Sequence, residues 1–444
     1  MKSLRLILPL VLTAALAACG GKGSSAPAPN NFQITAQDTQ LHMTWDALSG
    51  VEYWVFCAPN ASSIDSHSPA SSHSGWIYYT NIFSGDFYAT GLSNGTPYAC
   101  TVNGRYDKGP GGADAPALVK TPGYAGATWQ DGNTTALTGM TVRSVAAGLP
   151  TGQGLTADQF VAVGSAGNLV VSSALAANAT VTWGTPSQAA STHLNAVSFY
   201  APGNRFVAVG DDGKVVYATA TATWTAVSMP SATGMSMKAV TSSGSPLIAV
   251  GDNGAAQGVI YSSSDSAASW SQVSGVSTNA LRSVVYVPDT TPYWIAVGSG
   301  GVVLRSTDGA NWTVSTPAGT GKSYSSAAVL PVTDSANTVT GYRVVAVADD
   351  GSAIVSSNGT AWTSSSVSTS ALVAVYAAKG QIMAIDNTGK AYTSNASTNN
   401  WAWSAGVDTG MSSPVAVMRY APSFTAVSNG WMVFDGTGKQ RIAR

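Results

Sequence analysis

One apolar phrase organises the polarity pattern of this chain. Phe160-Val161-Ala162-Val163-Gly164 returns as Phe206 to Gly210, as Leu247-Ile248-Ala249-Val250-Gly251 and as Ile295-Ala296-Val297-Gly298. Looser copies follow at Val344 to Ala348, Ile382 to Asp386 and Phe424 to Ser428. Each copy is short, apolar and rich in β-branched residues, which predicts a buried strand rather than a helix. A second apolar stretch precedes every copy: Thr141 to Val145, Leu194 to Phe199, Met237 to Val240, Leu281 to Tyr286, Tyr324 to Val329, Leu372 to Tyr376 and Pro414 to Tyr420. After a turn such as Asp211-Asp212-Gly213 comes a third strand, for example Val215 to Ala218 or Val302 to Ser306. A Trp opens the fourth, at Trp183, Trp224, Trp270, Trp312, Trp362 and Trp401 or Trp403.

Successive copies lie 38 to 50 residues apart, the period of four-stranded propeller blades. There are seven leading strands and seven second strands, but only six Trp-led fourth strands after residue 140. Trp129 stands ten residues before Gly139-Met140 as Trp224 stands ten before Gly234-Met235, so it occupies the register of a fourth strand with no blade before it. The predicted architecture over residues 122–444 is a seven-bladed β-propeller closed by this N-terminal strand, an arrangement that removes sheet edges. The alternative is that Lys439 to Ala443 completes its own blade.

Residues 32–121 show strand alternation instead. Leu41, Met43 and Trp45 share one face, as do Tyr53, Val55 and Cys57. Trp45, the Tyr53-x-Val55 strand and Leu92-x-x-Gly95-Thr96-x-Tyr98 resemble the marks of a fibronectin type III module, an all-β sandwich. The resemblance implies that the strands carrying Cys57 and Cys100 are neighbours, so that a cross-strand disulfide is geometrically possible. Two buried free thiols are the alternative. Trp76, Tyr78 and Tyr79 follow a Ser/His-rich insertion and read as strand aromatics, with an aromatic binding surface as the rival reading.

The N-terminus is set apart from the fold. Lys2 and Arg5 precede an apolar core, Leu6 to Ala15, which is too short for a stable span. The core leads into Leu16-Ala17-Ala18-Cys19-Gly20, which resembles the bacterial lipoprotein signal. That resemblance implies cleavage after residue 18, lipidation of Cys19 and, with Gly rather than Asp after the Cys, an outer-membrane protein of the cell envelope. Residues 19–31 are Gly/Ser/Ala/Pro-rich and predict a flexible tether. The two remaining cysteines fit an oxidising compartment.

Composition narrows the chemistry. Only 9% of the 444 residues are charged and the net charge is −1, so no footprint for nucleic acid is expected. Ser306-Thr307-Asp308-Gly309-Ala310-Asn311-Trp312 and Ser356-Ser357-Asn358-Gly359-Thr360-Ala361-Trp362 resemble the Asp-box, or BNR, hairpin of sialidases and of photosystem II stability/assembly-factor-like propellers. In that motif the Asp or Asn holds a turn and catalyses nothing. The chain's only Glu is Glu52, the propeller's only His is His193, and its Asp residues sit mostly in Asp-Gly-type turns. No catalytic residue, metal site or cofactor is expected, with calcium at a paired turn such as Asp349-Asp350 as the one metal alternative. Arg143, Lys238 and Arg282 occupy equivalent positions in three leading strands and are the candidate partner-binding residues, in keeping with the basic patch of the family that the hairpins resemble. Tyr293, Trp294, Trp401, Trp403 and Trp431 form a rival aromatic patch. The reading is a monomeric, lipid-anchored, non-catalytic platform for an envelope protein. The alternative is a surface glycan-binding protein or glycosidase of the sialidase-like type.

Overall fold

Six of the seven copies of the repeated phrase are fully buried strand, and their alternate residues pack against different neighbours. In the computed structural model, Phe206 and Ala208 join a core with Val161 and Val163, whereas Val207 and Val209 join another with Met237 and Leu247. A strand buried on both faces must be apolar throughout, which is why the phrase runs as an unbroken hydrophobic stretch rather than alternating. The structure describes residues 23–37, 40–69, 73–123, 126, 129–132, 137–151, 159–173, 181–218, 223–274, 278–315, 321–333, 338–378, 380–395, 402–420 and 430–443. The expected signal segment, Cys19 and Trp401 lie outside these residues.

The chain divides into two compact units, Met1–Ala125 and Gly126–Arg444. In the second, the described residues form seven four-stranded antiparallel sheets. Their leading strands are Val142–Gly148, Leu194–Tyr200, Ser236–Val240, Leu281–Val287, Tyr324–Thr333, Leu372–Ala378 and Pro414–Tyr420. The second strands are Gln159–Gly164, Arg205–Gly210, Leu247–Asp252, Tyr293–Gly298, Val339–Ala348, Gln381–Asp386 and Gly430–Asp435. Each leading strand touches the next, and Pro414–Tyr420 touches Val142–Gly148, so the series closes on itself.

The seventh sheet takes strands from both ends of the unit. Its order is Pro414–Tyr420, Gly430–Asp435, Gln440–Ala443 and Trp129–Asp131, with Ala443 opposite Trp129 and Ile442 opposite Gln130. Arg441 pairs with Asp131 and also donates to the Thr409 carbonyl at 2.7 Å, tying the junction to the sixth sheet. One expectation and one alternative shift here. The copy predicted at Phe424 to Ser428 lies outside the described residues, and the second strand is Gly430–Asp435. Trp431-Met432-Val433-Phe434 supplies the unbroken apolar run that burial on both faces demands, whereas the other stretch carries Thr425 and Ser428. Gln440–Ala443 is the third strand of this sheet, not its fourth.

The turns between third and fourth strands hold themselves. Ser306 Oγ accepts the Gly309 N–H at 2.9 Å, and Asp308 Oδ1 accepts those of Ala310 and Asn311 at 2.9 and 2.7 Å. Ser356 and Asn358 repeat the pattern toward Gly359, Thr360 and Ala361. Gly309 and Gly359 have φ of +75° and +73°, and a Cβ at either would lie 2.8 Å from Pro246 or 2.7 Å from Tyr293. Glycine is thus required twice over, for the left-handed turn and for contact with the preceding sheet.

The first unit contains a three-stranded sheet, Gln33–Gln37, Gln40–Thr44 and Asp86–Thr90. A four-stranded sheet, in the order Ile77–Ile82, Val51–Pro59, Tyr98–Tyr106 and Leu118–Lys120, completes it. Leu41, Met43, Trp45, Tyr53 and Val55 share one core with Cys57 and Cys100. Those cysteines face each other across adjacent strands and form a disulfide. Part of the predicted tether is docked. Ser24 and Tyr106 exchange backbone hydrogen bonds at 3.2 and 2.8 Å, Ala26 donates to Gly104 at 3.1 Å, and Ala26 is buried. Leu118–Lys120 covers only the first part of Tyr98–Tyr106, so the remaining edge groups need these partners.

Candidate functional site

Each leading strand carries a β-bulge, and all seven bulges fall at one equivalent position. The register skips Arg143, Asn195, Lys238, Arg282, Ser325, Val373 and Val415. A bulge re-aims one side chain out of the ladder. The three candidate residues of the sequence analysis are therefore all bulge residues, and all three are exposed. A local signal for this was present: Val142-x-x-Val145, Leu194-x-x-Val197 and Met237-x-x-Val240 each place one residue too many between apolar positions of a strand.

The structure links two of the three. Arg143 Nη1 donates to Asn195 Oδ1 at 2.6 Å, and Asn195 Nδ2 donates to Asp211 Oδ1 at 2.7 Å and to the Met237 carbonyl at 3.0 Å. Ser236 Oγ donates to the same Asp211 oxygen at 2.6 Å. Lys238 Nζ donates to Ser236 Oγ at 2.7 Å and lies 3.7 Å from Asp252. Burial works against the Asp211 carboxylate, but bonds from Ser236 and Asn195, then the charges of Lys238 and Arg143, hold its pKa below the usual range. Arg282, on the next leading strand, has no hydrogen-bond or ion-pair partner among the described residues. Sequence reasoning missed Asn195, Asp211 and Ser236, whose roles depend on contact between strands remote in sequence.

The residue after each bulge binds the neighbouring sheet where it is Ser. Ser144, Ser283 and Ser326 Oγ accept the N–H groups of Val197, Ala327 and Val375 at 3.2, 3.1 and 3.3 Å. The ring that presents the bulge residues is thus hydrogen-bonded from sheet to sheet as well as packed.

Other candidate groups have structural duties. His193 Nδ1 accepts the Ala166 N–H at 2.9 Å. Asp350 receives Lys322 Nζ at 3.0 Å and Ser352 Oγ at 2.5 Å, while Asp349 accepts the Ser323 N–H at 2.9 Å. Tyr293, Trp294 and Trp431 are buried and Trp403 is half-buried, so they pack inside the unit and form no surface patch. Asp386 is 1% exposed and accepts from Thr388, Lys390, Tyr392 and Ser368. Burial would raise its pKa, but these bonds outweigh it and hold the carboxyl below its ordinary value. A depressed folded-state pKa contributes stability above the unfolded value, near 4, and that stability is lost as pH falls through the folded value. Asp386→Asn is therefore expected to cost about 2 kcal/mol at pH 6, with the gap to wild type narrowing below about pH 4. Urea unfolding at both pH values checks this, and a gap independent of pH would contradict it.

At the other end of the leading strands lies a cavity of ≈ 390 Å³ lined by Val240, Tyr286, Pro288, Pro331, Tyr342 and Tyr376 among others, none of them charged. The two ends of the strands therefore differ in character: the bulge end carries Arg143, Lys238 and Arg282 beside Asn195, Ser325, Val373 and Val415, and the other end is uncharged and mostly apolar and aromatic.

No family model matches the sequence, and no curated protein matches it. Among solved structures the chain is similar to U3-55K, with 7% identity, a TM-score of 0.51, and 71% of this chain and 98% of that chain covered. It is similar to the WD40 β-propeller domain of Doa1, with 11% identity, a TM-score of 0.50, and 71% and 97% covered. YCF48 from Cyanidioschyzon merolae matches with 15% identity, a TM-score of 0.49, and 72% and 99% covered. At such identities the likeness speaks to the fold alone, and that fold is a β-propeller.

Proposed function

We propose that this protein is a lipid-anchored, non-catalytic binding platform of the bacterial cell envelope. Its partner is a protein held at the bulge-lined end of a seven-bladed propeller. The observation that carries the reading is the ring of bulge positions, in which Arg143 and Lys238 are pre-positioned through Asn195 and Ser236 while the neighbouring Arg282 is exposed and has no partner among the described residues. Fixed guanidinium and ammonium groups on a rigid ring suit recognition of a carboxylate-bearing protein surface at little entropic cost. The carboxylates nearby are engaged, Asp211 by Ser236 and Asn195 and Asp252 by the Gly254 N–H, which supports binding over acid–base cleavage of a glycoside. The sequence from Lys2 to Cys19 supports the anchor. Trp45 lying 5.3 Å from Tyr53, and the Ser93 N–H donating to the Tyr98 hydroxyl at 3.1 Å, support a fibronectin type III-like module in the first unit.

Affinity capture from solubilised envelopes, with the wild-type chain and an Arg143→Ala/Lys238→Ala/Arg282→Ala variant as baits, tests the proposal. Wild type is expected to retain a saturable protein partner, and the triple variant to lose at least tenfold in affinity without loss of fold. Equal retention by both baits would refute the assignment. A surface glycan is the second reading, favoured by the outward strip of Trp54, Phe56 and Tyr78 in the first unit, where Phe56 faces Tyr78 and Tyr78 is 52% exposed. Retention on a polysaccharide column, lost on Tyr78→Ala and unchanged in the triple variant, would favour it.

A further inference from the structure

Two carboxylates and one imidazole converge in the first unit. Asp65 and His67 follow the strand Val51–Pro59, and Asp114 precedes Leu118–Lys120. His67 Nδ1 lies 3.6 Å from Asp65 Oδ1 and 3.8 Å from Asp114 Oδ2, and the three ligand atoms all lie within 4.8 Å of one another. Both separations exceed hydrogen-bond length, about 2.7–3.2 Å. They match instead the spacing of donors on one small cation: two ligands at about 2.1 Å, subtending about 110–130°, stand about 3.4–3.8 Å apart.

The cluster is held from behind. Asp114 receives the Ser66 N–H at 2.7 Å, the Ser66 hydroxyl at 2.5 Å and the Asn103 amide at 3.2 Å. Asn103 is itself only 5% exposed and also donates to Ser66 Oγ at 2.8 Å, so the carboxylate is anchored to the sheet. Asp65 Oδ1 accepts the His67 N–H at 2.9 Å, which fixes the first carboxylate relative to the ring. Outer hydrogen bonds of this kind orient the ligands of metal sites. Among the described residues no lysine or arginine pairs with either carboxylate; the His67 ring stands beside both, with its Nδ1 also 3.4 Å from Ser66 Oγ. Asp350 in the propeller differs in this respect, since the Lys322 ammonium pairs with it at 3.0 Å.

We infer that Asp65, His67 and Asp114 form a binding site for one divalent cation of the zinc class. One imidazole nitrogen and two carboxylate oxygens suit a borderline ion that accepts mixed nitrogen and oxygen ligands. Calcium is disfavoured, because it takes six to eight oxygens. Three protein ligands leave a coordination position for water or for a group from another molecule.

Zinc titration of the full chain by calorimetry, with His67→Ala and Asp114→Asn as variants, tests the inference. His67 is 52% exposed, so its truncation removes a ligand without opening the core. Wild type is expected to take up one Zn²⁺ at this site, and each variant to lose at least tenfold in affinity. Co²⁺ in place of zinc should give visible absorption in wild type and none in His67→Ala. The inference falls if wild type takes up no zinc, or if both variants bind it as wild type does. The second result would move the ion to another donor set such as His42 with Asp86, which already lie 2.8 Å apart.

Discussion

Replacing Trp431 by alanine is expected to destabilise the propeller by about 4–5 kcal/mol, among the larger costs of a single core truncation. Trp431 is 0% exposed and sits in the second strand of the sheet that joins the two ends of the unit. Its Nε1–H donates to Gln381 Oε1 at 3.1 Å, and Gln381, 1% exposed, belongs to the sixth sheet. Its ring meets Tyr376 of the same sheet edge-on at 6.3 Å. Truncation therefore empties the largest buried side chain of the seam and withdraws a donor from a buried amide. Trp431→Phe refills most of the volume but not the bond, and should cost about 1–2 kcal/mol. Urea unfolding followed by far-ultraviolet circular dichroism distinguishes them. If both variants stayed within about 0.5 kcal/mol of wild type, the seam would not carry the stability assigned to it.

Removing the Cys57–Cys100 bridge by a double substitution to alanine should destabilise the first unit by about 4 kcal/mol, from the loop-closure entropy that the bond withholds from the unfolded chain. The bonded residues are 43 positions apart, both are fully buried, and they lie directly opposite on neighbouring strands. Alanine keeps the site apolar, so the loss reports the cross-link more than a buried polar group. Amide hydrogen exchange along Tyr98–Tyr106 reads the effect. Protection there should fall by about two to three powers of ten, and unchanged protection would contradict the prediction.

How far the sequence could be read depended on the range of the forces involved. The seven leading strands, the second strands up to Gln381–Asp386 and the strand at Trp129 were legible because burial writes a local, repeating pattern. Trp129 was found by spacing alone, and it pairs with Gln440–Ala443. The last second strand was misplaced because Phe424 to Ser428 imitates the phrase in letters but not in unbroken hydrophobicity. Arg143, Lys238 and Arg282 were legible as equivalent positions. Their exposure at bulges, and the bridge through Asn195, Asp211 and Ser236, arise only when separate sheets meet. The grouping of Asp65 and His67 with Asp114 was hidden for the same reason, since long-range folding brings it together and no motif spacing marks it. Ser24 to Ala26 reads as tether by composition, yet the uncovered edge of Tyr98–Tyr106 captures it.

The bulge-lined end of the propeller as the binding face is the central claim, and photo-crosslinking tests it most directly. A benzophenone amino acid would replace Arg282 in one chain and, as a control, Val314, which is 64% exposed on a fourth strand, in another. On irradiation of intact envelopes, position 282 is expected to give one discrete protein adduct and position 314 none. No adduct at 282, or the same adducts from both positions, would contradict the claim.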